Sequence, residues 1–392
     1  MRPLADLTVV TLEHAVAGPF CTRQLADYGA RVIKVERPGT GDLARGYDRS
    51  VNGLASYFVW LNRGKESVTL DVKQAGGRAA LDRLVARADV VVQNLAPGAA
   101  ARLGLGWEAL AARNPGVIVA DISGYGDGGP YEHKKAYDLL IQGEAGLVGV
   151  TGTAGEPSRC GVSIADIASG MYAYSGILTA LLTRERTGRG TRVEISMLEA
   201  LAEWTSQPVY YGHHGGTSPR RTGATHPTIA PYGPHRCGDG REVLFGLQNW
   251  SEWPTFCREV LKRPELATDP RFAGNTERVA NRAELTPIIE QAFSTLTADE
   301  VVALLDRHGI ANGRINGVGD VARHPQLRAR GRWRSVGTSA GPMEALLPPA
   351  NLGGVEPAMG DVPALGQHTD EVLRWLGYGP AEVAALRAQG AI

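Results

Sequence analysis

Short apolar runs alternate with amphipathic stretches through the first third of the chain. Residues 7–13 (LTVVTLE) form a β-branched apolar run. Gly18-Pro19 then opens a helical stretch that Gly29 stops, and residues 31–36 (RVIKVE) alternate polar and apolar as a strand does. Residues 67–72 predict a third strand. Residues 77–88 predict a helix, with Ala80, Leu81, Leu84 and Val85 on one 3.6-period stripe. Residues 89–93 and 116–122 predict two more strands, with residues 99–110 helical between them. Strands separated by helices need crossover connections, and these give a mainly parallel sheet covered on both faces. The pattern predicts a doubly wound, Rossmann-like α/β domain.

The longest helical pattern spans residues 166–186, with Met171, Ile177, Leu178, Leu181 and Leu182 apolar, and Thr187-Gly188-Arg189-Gly190 ends it. A strand over 192–196 and a helix over 197–203 follow. Pro208, Pro219, Pro227, Pro231 and Pro234 then break the periodicity, which predicts a linker carrying functional loops. The expected division is a large α/β domain over 1–204, a linker over 205–237, a smaller α+β middle domain over 238–328, and a return to the large domain over 329–392.

Composition narrows the function classes. The 392 residues carry 41 Lys plus Arg against 41 Asp plus Glu, so neither nucleic acid nor an anionic membrane is attracted by overall charge. Cys21, Cys160, Cys237 and Cys257 form no Cys-x-x-Cys pair and no zinc-spaced cluster, so no metal site is expected. No secretory leader pattern opens the chain, and nowhere do about 18 apolar residues run together. The expectation is a cytoplasmic protein with no permanently bound cofactor.

Two familiar spacings lack their context. Gly124-Tyr125-Gly126-Asp127-Gly128-Gly129 matches a dinucleotide fingerprint but runs into Pro130, with no helix N-terminus to receive a pyrophosphate. Gly337-Thr338-Ser339-Ala340-Gly341 matches a nucleophile elbow but is followed by Pro342, which makes it a turn. His213-His214 are adjacent, point in different directions and lack a third ligand. Asp166 is more informative. It arrives at the start of the long helix through Val162-Ser163-Ile164-Ala165 and precedes Ile167-Ala168-Ser169-Gly170. One reading is a helix N-cap. The other is a nucleophile toward an acyl group, kept ionised by free backbone N–H groups and approachable past small neighbours.

Several stretches join Asp166 in a set: AGPFCTRQLADYGARVIKVERPGTGD (17–42), NRGKESVTLDVK (62–73), NLAPGAAARLGL (94–105), ISGYGDGGP (122–130), VSIADIASG (162–170), TGRG (187–190) and LGQHTDEVL (365–373). With these the chain resembles the family III CoA-transferases, a group that includes formyl-CoA:oxalate and carnitine CoA-transferases and the related α-methylacyl-CoA racemases. The resemblance implies a large domain built from both chain ends, a small middle domain, and a homodimer whose chains are interlocked like links. It implies acyl-CoA and small carboxylic acids as partners, with coenzyme A as substrate.

Carried over by position, Asp166 matches the family's catalytic aspartate, which holds CoA as an aspartyl-CoA thioester. Arg37, Arg102 and Lys135 match positions near the CoA path, with His14, Asn94 and Tyr137 as further candidates, and Asp138 matches an acidic residue assisting the transferase site. Arg220, Arg221 and His226 are candidates to pair with the second carboxylate of a dicarboxylic substrate. The sequence departs from the oxalate branch, whose mobile loop has a run of glycines, because Thr222-Gly223-Ala224-Thr225-His226-Pro227-Thr228 stands there. The stretches around Asp138 and Asp166 are most similar to the branch acting on C4–C5 dicarboxylates, mesaconyl-CoA C1–C4 CoA transferase among them. The alternative is a racemase-type isomerase. It needs a histidine base where this chain has Lys134, with His133 one residue away.

Overall fold

The computed structural model describes residues 1–217 and 219–392. It divides into two compact units: Met1–Gly146, Cys160–Ser206 and Arg328–Ile392 form the first, and Leu147–Arg159 with Gln207–Leu327 the second.

The first unit holds β1 (Thr8–Leu12), α1 (Ala17–Asp27), β2 (Arg31–Glu36), α2 (Ser56–Asn62), β3 (Lys65–Thr69), α3 (Ala75–Val85) and β4 (Val90–Gln93). Two short helices, α4 (Ala99–Arg102) and α5 (Trp107–Ala111), then lead to β5 (Ile118–Ser123) and α6 (Asp138–Glu144). After the excursion of α7 (Leu147–Val150), the unit resumes with α8 (Ile164–Thr187), β6 (Arg192–Ser196) and α9 (Met197–Trp204). All six strands are parallel, in the order β3-β2-β1-β4-β5-β6. Strands β1 and β2 are buried along nearly their whole length, as a sheet covered on both faces requires.

The C-terminus closes this unit. The hairpin β10 (Trp333–Val336) with β11 (Met343–Leu346) supplies Val336 and Ala345 to a small core with Phe58 and Val59 of α2. Leu81 and Leu84 of α3 lie in one core with Val372 and Leu373 of α17 (Thr369–Trp375), close to the final helix α18 (Pro380–Ala388). Each leucine buried there is worth roughly 1.5–3 kcal/mol. Thr369 Oγ1 accepts the Thr69 N–H at 3.0 Å, so α17 covers the free edge of β3. The large domain is thus built from both chain ends.

The second unit contains most of α10 (Ser206–Gly215) and a three-stranded antiparallel sheet of β7 (Tyr232–Arg236), β8 (Glu242–Gly246) and β9 (Asn312–Arg314). Phe245, Phe256, Ile289, Phe293 and Leu305 fill its core, the last three from α13 (Arg282–Phe293) and α14 (Ala298–Arg307); the short helices α11 (Glu252–Thr255) and α12 (Asn275–Ala280) precede these, and α15 (Val318–Ala322) and α16 (Pro325–Ala329) follow them.

Three elements differ from the sequence pattern. β3 begins two residues before the expected strand and ends earlier, because Asp71 leaves the ladder to donate its N–H to Ala391 O at 2.8 Å. The helical stretch over 99–110 is two helices, interrupted at Gly104-Leu105-Gly106. The proline-rich stretch over 205–237 is more than a linker, since it carries α10 and β7, and His213 and His214 stand in the last turn of α10. No helix among the described residues is long and apolar enough to cross a membrane.

Candidate active site

β1 and β4 are neighbours whose connections run outward in opposite directions, so the crevice at their carboxyl ends is the switch point of the sheet. Asn94, just after β4, bridges it. Its Oδ1 accepts the His14 N–H at 2.8 Å and its Nδ2 donates to the His14 carbonyl at 2.9 Å. Two of the expected CoA contacts therefore meet here, with the Asn94 amide fixing the backbone of the β1–α1 turn. His14 Nδ1 is buried 3.8 Å from Asp42 Oδ1 without a hydrogen-bond partner.

Beneath the turn lies a buried charge cluster. The Glu13 carboxylate accepts from Thr11 Oγ1 at 2.8 Å, Thr22 Oγ1 at 2.7 Å and Lys65 Nζ at 2.7 Å. Lys34 Nζ donates to Asp42 at 2.7 Å and to Glu13 at 3.3 Å. Glu36 takes both guanidinium arms of Arg45 at 2.8 Å and the Ser67 hydroxyl at 2.5 Å. Three acids face three bases, so each buried charge has a partner. Burial alone raises a carboxyl's pKa. At Asp42 the Lys34 ammonium and the hydrogen bonds outweigh burial and hold the group far below the usual carboxylate range.

Asp166 stands in the first turn of α8, half-buried. Burial first, and the Asp138 carboxylate second, push its pKa up to about 7, with the Ala17 backbone N–H pulling weakly the other way. The cap reading is answered by geometry: the N-cap is Ser163, whose side chain makes no cap hydrogen bond. The cap oxygen comes from Asp138, whose Oδ1 accepts the Ala165 N–H at 2.8 Å and the Asp166 N–H at 3.3 Å, while Gln142 Nε2 donates to its Oδ2 at 2.7 Å. Helix α8 therefore does not hold Asp166 ionised with its own N–H groups, as the sequence suggested. Asp138 consumes those donors and adds a repelling charge.

The small residues beside Asp166 also serve a different purpose. Ala165 and Ala168 are fully buried, and a Cβ on Gly170 would lie 2.7 Å from Ala17 O and 3.1 Å from Phe20. They let α8 cross α1 closely, which brings the start of α8, with Asp166, beside the start of α1 near the switch point. Aromatic rings that the sequence did not single out line the same region. Tyr47 and Tyr57 meet edge to face at 5.8 Å, and Trp60 packs on Tyr57 and Phe20. The Tyr47 phenol is raised by burial and by the Asp42 and Asp166 carboxylates.

A sequence model described as CoA-transferase family III matches residues 4–369. The chain belongs to CoA-transferase family III. It is 38% identical to acetyl-CoA:oxalate CoA-transferase of Acetobacter aceti, over 84% of each chain. It is 35% identical to succinyl-CoA–D-citramalate CoA-transferase of Chloroflexus aurantiacus, over 100% of this chain and 98% of that one. Among solved structures, a CAIB/BAIF family protein from Brucella suis aligns with a TM-score of 0.85 at 36% identity, covering 95% of this chain and 99% of that one. The protein is a family III CoA-transferase with the fold of that group.

The remaining expected site residues of this transferase are dispersed. Arg37 follows β2, Arg102 ends α4 and Lys135 lies in the loop before α6, all exposed. Tyr137, at 71% exposure, precedes Asp138 as the N-cap of α6. Arg220, Arg221 and His226 belong to the second unit. There Arg221 donates to the carbonyls of Thr153 at 2.9 Å and Ala154 at 3.1 Å, His226 stacks on Tyr232 at 5.1 Å, and Arg220 is exposed. Lys134, at the racemase base position, pairs with Glu144 at 2.7 Å and lies over the Tyr131 ring. Cys21 is fully buried and its thiol is pushed up strongly by burial and by Glu13, so it is no rival nucleophile.

Proposed function

We propose that this transferase moves CoA between carboxylic acids through an aspartyl-CoA thioester on Asp166, acting on C4–C5 dicarboxylic acyl-CoAs. One observation carries the reading: a half-buried carboxylate at the start of α8, where that helix crosses α1 beside the sheet's switch point, crowded by Asp138 and with its pKa pushed up to about 7 by burial and that second charge. An ionised carboxylate of raised basicity is a stronger nucleophile than an ordinary surface aspartate. Asp166 attacks the donor thioester carbonyl, forming a mixed anhydride and releasing CoA thiolate. The thiolate attacks the aspartyl carbonyl, expelling the donor carboxylate and leaving the aspartyl-CoA thioester. The acceptor carboxylate then attacks that thioester, and the thiolate it frees captures the acceptor acyl group, restoring Asp166. His14, Arg37, Asn94, Arg102, Lys135 and Tyr137 are the proposed CoA contacts. Asp138 assists at Asp166, and Arg220, Arg221 and His226 are the proposed contacts of the second carboxylate.

Similarity to the D-citramalate enzyme supports a C5 dicarboxylate, and the Thr222-Gly223-Ala224-Thr225 segment, without a glycine run, argues against formyl-CoA:oxalate transfer. The acid panel still includes oxalate, because of the similarity to the acetyl-CoA:oxalate enzyme. The working form is proposed to be the interlocked homodimer. Leu139, Leu140, Met171, Leu182 and Trp204 of the first unit, all exposed in the single chain, supply apolar surface for it.

The test mixes the protein with succinyl-CoA or mesaconyl-CoA, traps with hydroxylamine and maps the product by mass spectrometry. A hydroxamate on Asp166, absent from a folded Asp166→Ala variant, is expected. An α-proton exchanged with deuterated water, with no adduct, would replace this reading with the racemase one.

A further inference from the structure

Helix α8 takes its cap from another helix, and a residue that no transfer step uses holds that cap in place. Ser163, at the N-cap, makes no side-chain cap hydrogen bond. The first N–H groups go instead to Asp138 Oδ1, 2.8 Å from Ala165 N and 3.3 Å from Asp166 N. Gln142 stands one turn further along α6 and is fully buried. Its Nε2 donates to Asp138 Oδ2 at 2.7 Å and lies 3.5 Å from Val162 O, while its Oε1 accepts the Cys160 N–H at 2.8 Å. The amide faces only one way, since turning it over would set its oxygen against the carboxylate and its NH2 against an N–H. Both oxygens of Asp138 are thereby engaged, one by α8 and one by Gln142.

The chemistry of the holding group matters. A lysine or arginine in its place would cancel the charge of Asp138, whereas a neutral amide fixes the carboxylate and leaves the charge intact. We propose that Gln142 is a positioning residue of the transferase: by donating to Oδ2, it holds the Asp138 carboxylate across the start of α8, so that the first N–H groups of the helix go to Asp138 and a second negative charge stays beside Asp166. The inference rests on Asp166 being the reacting carboxylate. The ionisable groups facing Asp166 are Asp138 of α6 and Tyr47. Tyr57 of α2 reaches the N-cap hydroxyl of Ser163 at 3.5 Å, and Glu144, the other acid of α6, pairs with Lys134 at 2.7 Å.

Gln142→Met keeps the length of the side chain and removes the donor to Asp138. The half-buried carboxylate then turns toward water and gives the N–H groups of α8 back, so Asp166 loses a repelling neighbour and regains donors. Carbodiimide and glycinamide label a carboxyl according to its protonated fraction, so peptide mapping against pH reads the Asp166 midpoint without any acyl-CoA. In Gln142→Met that midpoint is expected to fall by about one pH unit or more, toward the ordinary aspartate range. Asp138→Ala should bring a similar fall by itself, and adding Gln142→Met to it should move the midpoint no further, because the glutamine acts through Asp138. If Gln142→Met does not fold, Gln142→Leu takes its place with the same expected fall. A midpoint left unmoved or raised by the Gln142 substitution, as a purely structural role would leave it, or one lowered equally with and without Asp138, overturns the proposal. A wild-type protein that labels normally but forms no acyl adduct counts against the transfer mechanism, not against this one.

Discussion

A carboxylate in the first turn of a helix ordinarily titrates low, because the helix offers it unpaired N–H groups. Asp166 does the opposite, since Asp138 has taken those groups and stands beside it as a second negative charge. Only the ionised form attacks a thioester, so the rate of adduct formation should rise through a midpoint near pH 7. Single-turnover trapping across about pH 5 to 9 checks this, and a midpoint near 4, the ordinary aspartate range, would show that the crowding has no effect in solution. The same shift affects stability with a definite sign. The native state holds a proton that the unfolded chain, with a carboxyl near 4, releases earlier, so this group's contribution falls as pH rises from about 4 to 7 and stays reduced above. Asp166→Asn should therefore abolish transfer yet stabilise the fold at pH 8 by roughly 1–2 kcal/mol, discounted for partial exposure. Denaturant melts should show that gain vanish at about pH 4; an equal gain at both pH values would place its origin elsewhere.

At the scale of elements, the site depends on how closely α8 crosses α1. Gly170→Val should introduce a Cβ 2.7 Å from Ala17 O, costing about 1–3 kcal/mol by overpacking and shifting the start of α8, with Asp166, relative to α1. Adduct formation should fall about tenfold or more, the scale of one misplaced contact near 1.4 kcal/mol. A Gly170→Val variant that melts lower but reacts at the wild-type rate would show that the crossing serves stability alone. These elements were legible to different depths. The strands and helices of the first half follow from local periodicity, and the place of Asp166 at the start of the long helix is legible in the sequence. The cap on α8 is not, because its oxygen comes from Asp138, 28 positions upstream. Nor is the charge cluster, since Lys34 reads as a polar position of an alternating strand and Lys65 lies before the strand expected over 67–72. Only the pairing of β2 with β1 and β3 brings them to Glu13, out of water. The Ala-Ser-Gly run reads in the sequence as room for a substrate, and the structure shows that it also lets α8 approach α1.

At the scale of the molecule, the chain leaves its first unit twice, over Leu147–Arg159 and again over Gln207–Leu327, and returns each time. The return is secured at the far end of the sequence: α17 covers the edge of β3, and Ala391 accepts the Asp71 N–H. A chain closed on itself in this way makes a loop without being cyclic, and a second copy threaded through that loop is retained as long as the closure holds. Separation would then require undocking the C-terminal segment, with Val372, Leu373 and Leu376 drawn out of the core at roughly 1.5–3 kcal/mol each. A dimer joined only face to face through its exposed leucines and Trp204 would exchange partners whenever it dissociates, at a rate set by concentration. The two arrangements differ in one measurement. Tagged and untagged protein, mixed after separate folding, should form no mixed dimer over days under native conditions at any dilution. Unfolded together and refolded, they should give the statistical mixture of tagged, untagged and mixed pairs. Mixed dimers appearing before unfolding, faster at higher dilution, would mean that the two copies touch without being linked.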